Sequence, residues 1–336
     1  MDDQPAPVGG RPVVPLTTSV AVITYERPEF VARCLRHLRS QTHPPEEIIV
    51  VDSSTGRDTE RLVREQFPEV TYAVCAAGHG AMATARNISY HLSTGDVLAF
   101  IDDDAFAEPD WLEMLLPAFD DPTVGAVGGR QIRRQPGELT EGVEAIGRLW
   151  DDGTITGNFA ADPGKNLEVD HLLGANMAFR RTVLDALGGI RDGYAGTCVR
   201  EETDLCLRVR AADYRLVYVP DAVVEHVAAP YAKGQRFDLR YAYWAQKNHL
   251  ILLIRNFGIT SPTVRRYLAT SMGAGLDDGK TRLGRARGRA RDHDVRGAST
   301  AAGAAVLRMA VVVVASVTGV IEGVRLAAAD RRAQLA

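Results

Sequence analysis

The sequence is poor in cysteine and has no pair of cysteines at the spacing of a metal or redox motif. Its four cysteines are scattered along 336 residues, at Cys34, Cys75, Cys198 and Cys206. Structural zinc sites and redox motifs use closely spaced cysteines, and small secreted domains use dense disulfide frameworks. The spacing argues against these classes, and we expect reduced thiols and a cytoplasmic location.

The sequence also lacks a large excess of charge and an N-terminal targeting pattern. Its formal net charge of -4 argues against a general affinity for nucleic acids. Residues 1–17 are rich in proline and glycine, without the basic and apolar segments of a signal peptide. We therefore expect a flexible tail there and no signal peptide.

The first hundred residues do contain a regular alternation of apolar runs and helical patterns. Strands are predicted at Ser19–Thr24, Glu47–Asp52, Val70–Val74 and Val97–Ile101. Helices are predicted at Pro28–Ser40, Thr59–Phe67 and Ala81–Ser93. Apolar strands that alternate with helices predict an α/β fold with a doubly wound sheet that is covered on both faces.

Three carboxylates, Asp102, Asp103 and Asp104, directly follow the buried strand Val97–Ile101. In an open α/β sheet, ligands bind at the carboxyl ends of the strands. Adjacent carboxylates repel one another unless a cation lies among them, and oxygen ligands suit Mg²⁺ or Mn²⁺, which usually bridge to phosphate. The motif predicts a metal-bound diphosphate. A solvated acidic turn is the alternative.

A second motif points to a different function. Gly78-His79-Gly80-Ala81-Met82-Ala83 matches the G-x-G-x-x-A fingerprint of dinucleotide-binding folds. It follows the third predicted strand instead of the first, and three adjacent carboxylates suit a metal better than one ribose hydroxyl. An NAD(P)-dependent oxidoreductase is thus the second hypothesis.

Beyond Asp104 the pattern is looser. Helices are predicted at Pro109–Phe119, Thr182–Leu187, Glu201–Ala212 and Asp238–Phe257. Strands are predicted at Val124–Gly129, Leu173–Phe179 and Leu216–Val219, with long loops over residues 130–168. Asp238 is a suitable N-cap for the last of these helices, and Gly258 a suitable stop.

Residues 236–336 form a C-terminal helical region in this prediction. A basic run extends from Lys280 to Arg296, and a stretch of thirteen residues without charge lies between Arg308 and Glu322. A spanning helix needs about 20 apolar residues, so we expect a buried or interfacial helix. The basic run suggests peripheral attachment to the inner face of a membrane, with a solvated segment as the alternative. We expect this region to govern location, not chemistry.

Six segments resemble the family 2 glycosyltransferases, in the order of that family. They are Ser19–Pro28, Glu47–Asp52, Ala85–Asn87, Phe100–Asp104, Gly174–Arg181 and Glu201–Arg208. The resemblance covers residues 19 to about 230. It implies a GT-A fold with a nucleotide-sugar-binding half over residues 18–130 and an acceptor-binding, catalytic half over 131–235. It also implies inverting transfer of a sugar from a nucleoside diphosphate sugar to a hydroxyl group.

The resemblance implies roles for individual residues. Those that would bind the nucleotide are Thr24, Tyr25, Glu26, Asp52, Arg86, Asp102 and Asp103. The ligands of Mg²⁺ or Mn²⁺ would be Asp104, Asp102 and His226. Asp52 fits the N–H edge of uracil or thymine, so UDP or dTDP is favoured and GDP stays open.

Inversion in one displacement needs a general base on the acceptor hydroxyl. Glu202 aligns with the catalytic aspartate of the family and is the first candidate, and Glu201 is the second. The sequence departs from the family here, because a glutamate is one methylene longer than an aspartate. We expect Asp204, further along the helix, to support the site.

The sequence does not specify the donor sugar or the acceptor. A lipid-linked or cell-envelope glycan would suit a peripheral enzyme, and a soluble natural product is the alternative. A non-catalytic relative that only binds nucleotide sugars is a third hypothesis, against which the retained carboxylates argue. A homodimer stays open.

Overall fold

Apolar side chains line both faces of the strands near the N-terminus, so helices cover the sheet on both sides. The computed structural model describes residues 16–134, 138, 140–196, 199–227, 238–271 and 295–335, except for the side chains of 295–305 and 335. The first strands are β1 (Thr18–Thr24), β2 (Glu47–Asp52), β3 (Thr71–Val74) and β4 (Val97–Asp102). The helices between them are α1 (Pro28–Arg39), α2 (Asp58–Gln66) and α3 (Met82–Leu92).

Alternate residues of β1 point to opposite layers, as the two-residue period of a strand requires. Val20 and Val22 share a core with Leu35 of α1. Ile23 lies in the other layer, with Ala85 of α3. These four strands pair in parallel, in the order β3-β2-β1-β4, which agrees with the predicted doubly wound sheet.

The chain beyond β4 extends the same sheet, apart from β7 and β8, which pair in a separate two-stranded sheet. Its strands are β5 (Ala105–Ala107), β6 (Val124–Ile132), β7 (Arg148–Leu149), β8 (Ile155–Thr156), β9 (Leu167–Glu168), β10 (Met177–Arg180) and β11 (Arg215–His226). Its helices are α4 (Trp111–Leu115), α5 (Arg181–Leu187), α6 (Glu201–Ala211), α7 (Leu239–Phe257), α8 (residues 262–271) and α9 (Val295–Leu335). The order continues as β4-β10-β6-β11-β5, with β9 also on β11, and β10 runs antiparallel to both its neighbours. The fold is therefore a mixed α/β sheet followed by a helical region.

Strand β11 is longer than the sequence predicts, because Pro220 does not end it. The pairing of β11 with β6 shifts register between Val219 and Val223 and then continues to Glu225. A proline cannot donate to the ladder and is tolerated at such a bulge. The extension carries His226 next to Ala105 of β5, which the sequence did not predict as a strand.

Two predicted boundaries near the ends of elements also change. The helix predicted at Pro109–Phe119 is α4 followed by a tighter 3-10 turn at Leu116–Asp120. Pro117 has no N–H group with which to continue an α-helix. Thr17, which we placed in the flexible tail, donates through its N and Oγ1 to Asp96 at 3.0 and 2.8 Å. Leu16 packs against the core, and residues 1–15 of the predicted tail lie outside the described residues.

Helix α7 begins and ends where the sequence predicts. The side chain of Asp238 accepts a 2.6 Å hydrogen bond from the backbone N of Tyr241, which caps the helix. Gly258, with φ of 83°, follows its last residue. The basic run Lys280–Arg296 lies almost entirely outside the described residues, and no side chain of it is described.

Helix α9 packs along α7 through small residues. Ala315, Ser316 and Ala327 are buried. A Cβ atom on Gly319 would lie 2.9 Å from the carbonyl oxygen of Lys247, which shows how closely the two backbones approach. Small residues at four-residue spacing permit such an approach. The C-terminal helix is thus packed closely against α7.

The opposite face of α9 is apolar and exposed. Its members are Val306, Leu307, Val313, Val314, Val317, Ile321 and Val324, each at least 41% exposed. At about 100° per residue they lie within one face of the helix. By length and composition alone, Val306–Gln334 could also cross a membrane, and it is the one such helix in the described part of the chain.

An ionic network joins the end of α9 to the loop in front of α6. Arg255 of α7 makes a bidentate pair with Asp330 of α9, at 2.9 Å for both bonds. Arg191 lies 3.6 Å from Asp330 and 3.8 Å from Asp204 of α6. Asp204 is fully buried and also accepts from Tyr194 at 2.9 Å. Asp204 therefore supports the start of α6, and α9 contributes to that support.

We predict that Asp330→Asn lowers the free energy of unfolding by roughly 1–3 kcal/mol, because it leaves the buried guanidinium of Arg255 without its carboxylate. Urea unfolding measures the change. Arg325→Ala is the control, since Arg325 is exposed and pairs with Glu322 one turn away, and we expect a change below about 0.5 kcal/mol. Equal effects of the two substitutions would contradict this account.

Candidate active site

The carboxyl ends of β1, β2 and β4 meet at one edge of the sheet and bring the predicted acidic residues together. Thr24 pairs in register with Asp52, and Ile23 with Asp102. Strand β11 arrives at the same edge through β5, where the backbone N of Val227 donates to the carbonyl oxygen of Asp104 at 3.0 Å. The edge therefore combines residues that are more than a hundred positions apart in the chain.

Asp102, Asp104 and His226 converge as a group that could hold a metal ion. One ligand atom from each lies within 4.8 Å of the others. His226 Nε2 is 3.2 Å from Asp104 Oδ1 and 4.0 Å from Asp102 Oδ2. Ligands on opposite sides of a Mg²⁺ or Mn²⁺ ion are about 4.2 Å apart, so small side-chain movements would close this group around one cation. Two carboxylates and one imidazole fit a hard or borderline divalent ion.

The electrostatics of this group favour a cation. Burial, above all, raises the pKa of Asp102, and the charge of Asp104 adds to this although Arg86 and His226 oppose it. Burial alone would lower the pKa of His226, but its hydrogen bond with Asp104 and the charges of Asp104 and Asp102 raise it. The carboxylates are thus incompletely neutralised by the protein, and a divalent cation would relieve their repulsion.

Asp103 lies apart from this group, in a separate set of contacts. It is fully buried and accepts a 2.6 Å hydrogen bond from the hydroxyl of Thr24. Arg27 Nη2 is 2.6 Å from Asp103 Oδ1, and its Nη1 is 3.3 Å from Asp104 Oδ2. Burial raises the pKa of Asp103 to about 7, against the opposing charge of Arg27. Thr24 and Asp103, both predicted to bind nucleotide, therefore bind each other.

Asp52 is held in place by two neighbours. It is 1% exposed, and its Oδ2 accepts from the hydroxyl of Tyr72 at 2.7 Å. Its Oδ1 accepts from the backbone N of Ser54 at 2.8 Å and also from the Ser54 hydroxyl. Burial first, and then the bond to Asp52, raises the pKa of Tyr72. The carboxylate of Asp52 is thus ordered in advance of any ligand.

Tyr25 and Glu26 lie in the loop after β1, beside the loop after β2. Glu26 has φ of 56°, and its carboxylate accepts from the backbone N of Thr55 at 2.9 Å and from the Thr55 hydroxyl at 2.7 Å. These bonds lower the pKa of Glu26. The ring of Tyr25 meets His79 edge to face at 4.7 Å. Glu26 ties the two loops together, and its proposed contact with a nucleobase stays a prediction.

Arg86 and Glu201 form a buried ion pair between α3 and α6. Arg86 Nη1 lies 2.7 Å from Glu201 Oε1, and the two side chains are 3% and 4% exposed. Arg86 Nη2 is 3.9 Å from Asp102 Oδ1. Burial opposes the charge of Arg86, but the carboxylates of Glu201 and Asp102 outweigh it and raise the pKa of Arg86. Arg86 thus stays charged between the two halves of the site.

Glu202 differs from Glu201 in its surroundings. It is half-buried, and its Oε2 accepts a 3.1 Å hydrogen bond from the backbone N of Arg200. Arg200 adopts φ of 93°, a conformation that is strained for a side chain other than glycine. Of the two neighbouring carboxylates at the start of α6, that of Glu201 is therefore buried and that of Glu202 is partly exposed.

Sequence reasoning assigned no role to Arg27 or Tyr72. Arg27 lies inside the segment Ser19–Pro28, just after β1. A basic residue at this position, next to the strand that ends in the acidic cluster, is a signal that could have identified it. Tyr72 has no comparable signal, since it lies within β3 and its contact with Asp52 depends on the pairing of β3 with β2.

The dinucleotide motif falls in an unfavourable place. Gly78 and Gly80 have φ of 72° and 87°, and they follow β3, which is an edge strand of the sheet. In a dinucleotide-binding fold the glycines follow the first strand, at the switch point of the sheet. The geometry gives no support to the oxidoreductase hypothesis.

Comparisons with known proteins agree on one family. The family model described as glycosyl transferase family 2 matches residues 19–188. The glucosyl-dolichyl phosphate glucuronosyltransferase of Haloferax volcanii is 30% identical over 244 residues, which are 68% of this chain and 75% of that protein. An O-antigen chain rhamnosyltransferase of Salmonella anatum is 28% identical over 203 residues, 60% of this chain and 62% of that protein.

Solved structures show a similar fold. A mannosyltransferase from Pyrobaculum calidifontis in complex with GDP-Man and Mn²⁺ aligns over 94% of this chain and 90% of its own, with a TM-score of 0.58 and 20% identity. GalNAc-T7 with UDP, GalNAc and Mn²⁺ aligns over 71% of this chain and 47% of its own, with a TM-score of 0.57 and 17% identity.

We predict that the affinity for Mn²⁺ falls as the pH falls from about 8 to about 6. A metal ligand must be a neutral imidazole, and the raised pKa of His226 means that its protonation competes already above its usual pKa of 6.5. The raised pKa of Asp102 acts in the same direction. Titration of free Mn²⁺ by electron paramagnetic resonance measures the affinity.

His226→Gln is the matched variant for this measurement. We expect it to bind Mn²⁺ more weakly and with a smaller dependence on pH, and Asp104→Asn to lose most of the binding. An affinity of the unaltered protein that does not change over this pH range would contradict the assignment of His226.

Proposed function

The chain belongs to glycosyl transferase family 2, and we propose that it transfers a sugar, with inversion, from a nucleoside diphosphate sugar to an acceptor hydroxyl. The observation that carries the proposal is the convergence of Asp102, Asp104 and His226 at the end of the sheet where nucleotides bind. The carboxylate of Glu202 lies at the start of α6, which Arg86 joins to the same edge through Glu201.

For the donor we propose UDP-sugar or dTDP-sugar. An ionised carboxylate can accept about four hydrogen bonds. Among the described residues, three donors bond to Asp52: the hydroxyl of Tyr72, and the backbone N and the hydroxyl of Ser54. One position is left for the N–H of a uracil or thymine ring. Since Asp52 is already ordered, little conformational freedom would be lost on binding.

For the cation we propose Mn²⁺ or Mg²⁺, held by Asp102, Asp104 and His226. Mg²⁺ prefers an all-oxygen environment, so the imidazole favours Mn²⁺. When bound, the ion would neutralise the charge that develops on the departing nucleoside diphosphate. Arg27 lies beside Asp103 and Asp104 and supplies a further positive charge at this end of the site.

We propose Glu202 as the general base. Glu201, the alternative, is 3% exposed and bonded to Arg86, so it has no free path to an acceptor hydroxyl. Glu202 is half-buried, and the hydrogen bond from the N of Arg200 orients it. Its carboxylate can accept the proton of the acceptor as the hydroxyl oxygen attacks the sugar.

Glu202→Gln is expected to bind UDP or dTDP as the unaltered protein does and to lose roughly 10²–10⁴-fold in transfer rate, because only the proton acceptor is removed. Calorimetry measures nucleotide binding, and release of nucleoside diphosphate measures transfer or donor hydrolysis. Near-normal turnover of Glu202→Gln would contradict the assignment. A protein that binds nucleotide sugar but never turns it over would instead be a non-catalytic relative.

For the acceptor we propose a lipid-linked or cell-envelope glycan, reached at a membrane surface on the cytoplasmic side. One relative is named for glucosyl-dolichyl phosphate and another for the O-antigen chain. The exposed apolar face of α9 supports membrane contact, as does the basic composition of Lys280–Arg296. Transfer to a soluble natural product is the alternative.

We predict that the protein sediments with anionic phospholipid vesicles, less so as salt rises, and that Val317→Glu/Ile321→Glu abolishes this. Both residues are more than half exposed, so the change should not affect folding. Val74→Glu is the control, because Val74 is 59% exposed on a different surface. Unaltered sedimentation of the double variant would contradict membrane contact. A dimer that the double variant loses would make this face a contact between two copies.

A further inference from the structure

The ion pair between Arg86 and Glu201 joins the two halves of the site. The residues are separated by 115 positions, and their 2.7 Å contact is buried on both sides. Removal of one partner of a buried pair leaves the other charge without compensation, so that charge moves to the nearest available group of opposite sign. For Arg86 that group is Asp102.

Asp102 lies between Arg86 and His226. Its Oδ1 is 3.9 Å from Arg86 Nη2, and its Oδ2 is 4.0 Å from His226 Nε2. A charge-assisted N–H···O bond is about 2.8 Å long, so a shift of about 1 Å would let Arg86 bind Asp102 directly. Such a bond would compete with a metal ion for the charge of Asp102.

Other contacts of Arg86 are weak by comparison. Its Nη2 donates to the carbonyl oxygen of Gly174 at 3.4 Å, and its guanidinium lies over the ring of Phe100 at 5.6 Å. Glu201 is therefore the strongest partner of Arg86. The short bond to Glu201 is the one that opposes a movement towards Asp102.

We propose that Glu201 is a positioning residue that holds Arg86 away from Asp102 and so keeps Asp102 available to a divalent cation. This inference rests on the proposed function, because it concerns the metal site of the transfer reaction. It gives Glu201 a role that is neither that of a general base nor that of a metal ligand. Its effect on the metal is exerted entirely through Arg86.

The proposal predicts a particular sign of coupling. In Glu201→Gln, Arg86 loses its carboxylate and binds Asp102, and the affinity for Mn²⁺ falls by roughly 10–100-fold, the usual effect of a residue behind a metal ligand. In Glu201→Gln/Arg86→Met, the competing charge is gone as well. The double variant therefore binds Mn²⁺ as tightly as the unaltered protein or more tightly.

The experiment titrates Mn²⁺ alone into each variant and follows the free ion by electron paramagnetic resonance. Glu69→Gln is the control, since it removes an exposed carboxylate that pairs with Arg39 just before β3, and it is expected to leave Mn²⁺ binding unchanged. Glu201→Asp keeps the carboxylate on a shorter side chain. Its affinity for Mn²⁺ is expected to lie between that of the unaltered protein and that of Glu201→Gln. Thermal unfolding confirms that each variant is folded, and Glu201→Asp replaces Glu201→Gln if the latter is not.

Two results would overturn this inference alone. If Glu201→Gln binds Mn²⁺ normally, Arg86 does not compete for Asp102. If the double variant binds as weakly as Glu201→Gln, the pair is only a scaffold. Absence of Mn²⁺ binding by the unaltered protein would overturn the metal site of the proposed function together with it.

Discussion

Repulsion among three adjacent carboxylates is the constraint around which this molecule is arranged. Asp102 ends a buried strand with its side chain 27% exposed, and Asp103 and Asp104 behind it are buried, where solvent screens their charges poorly. The protein places a basic side chain near each of them, and these side chains come from separate parts of the chain. Arg27 precedes α1, Arg86 lies on α3, and His226 ends β11. The mixed sheet makes this possible, since β1, β4 and β11 carry their ends to one edge.

Much of the sheet from β1 to β4 could be predicted because its signals are local. A run of apolar residues such as that of β4 forms a buried strand almost regardless of context, and the acidic residue that follows it marks the carboxyl end. Asp52 is found in the same way, at the end of β2. The prediction of a glycosyltransferase with a GT-A fold is confirmed by the family and by the solved structures.

The features that could not be predicted depend on contacts between distant segments. Pro220 ends a strand in most contexts, and only the pairing with β6 across a bulge lets β11 continue to His226. The partner of Arg86 lies 115 positions away, so the sequence could suggest a nucleotide contact for Arg86 but not its pair with Glu201. The C-terminal region, which we expect to govern location and not chemistry, makes a contact that the sequence does not indicate, because Asp330 reaches the loop in front of α6 through Arg255 and Arg191.

The two faces of α9 impose opposite kinds of mutational tolerance. On the face that packs against α7, the size of the side chain is limited, because even a methyl group on Gly319 would contact the backbone of Lys247. On the other side Val317 and Ile321 are exposed, and folding sets no limit on their size. As the sequence diverges, selection for folding would preserve small residues along the stripe of α9 that faces α7. Selection for contact with a membrane or partner would preserve hydrophobic residues along the exposed stripe. The two kinds of selection can therefore be distinguished by comparing the substitutions in each stripe separately.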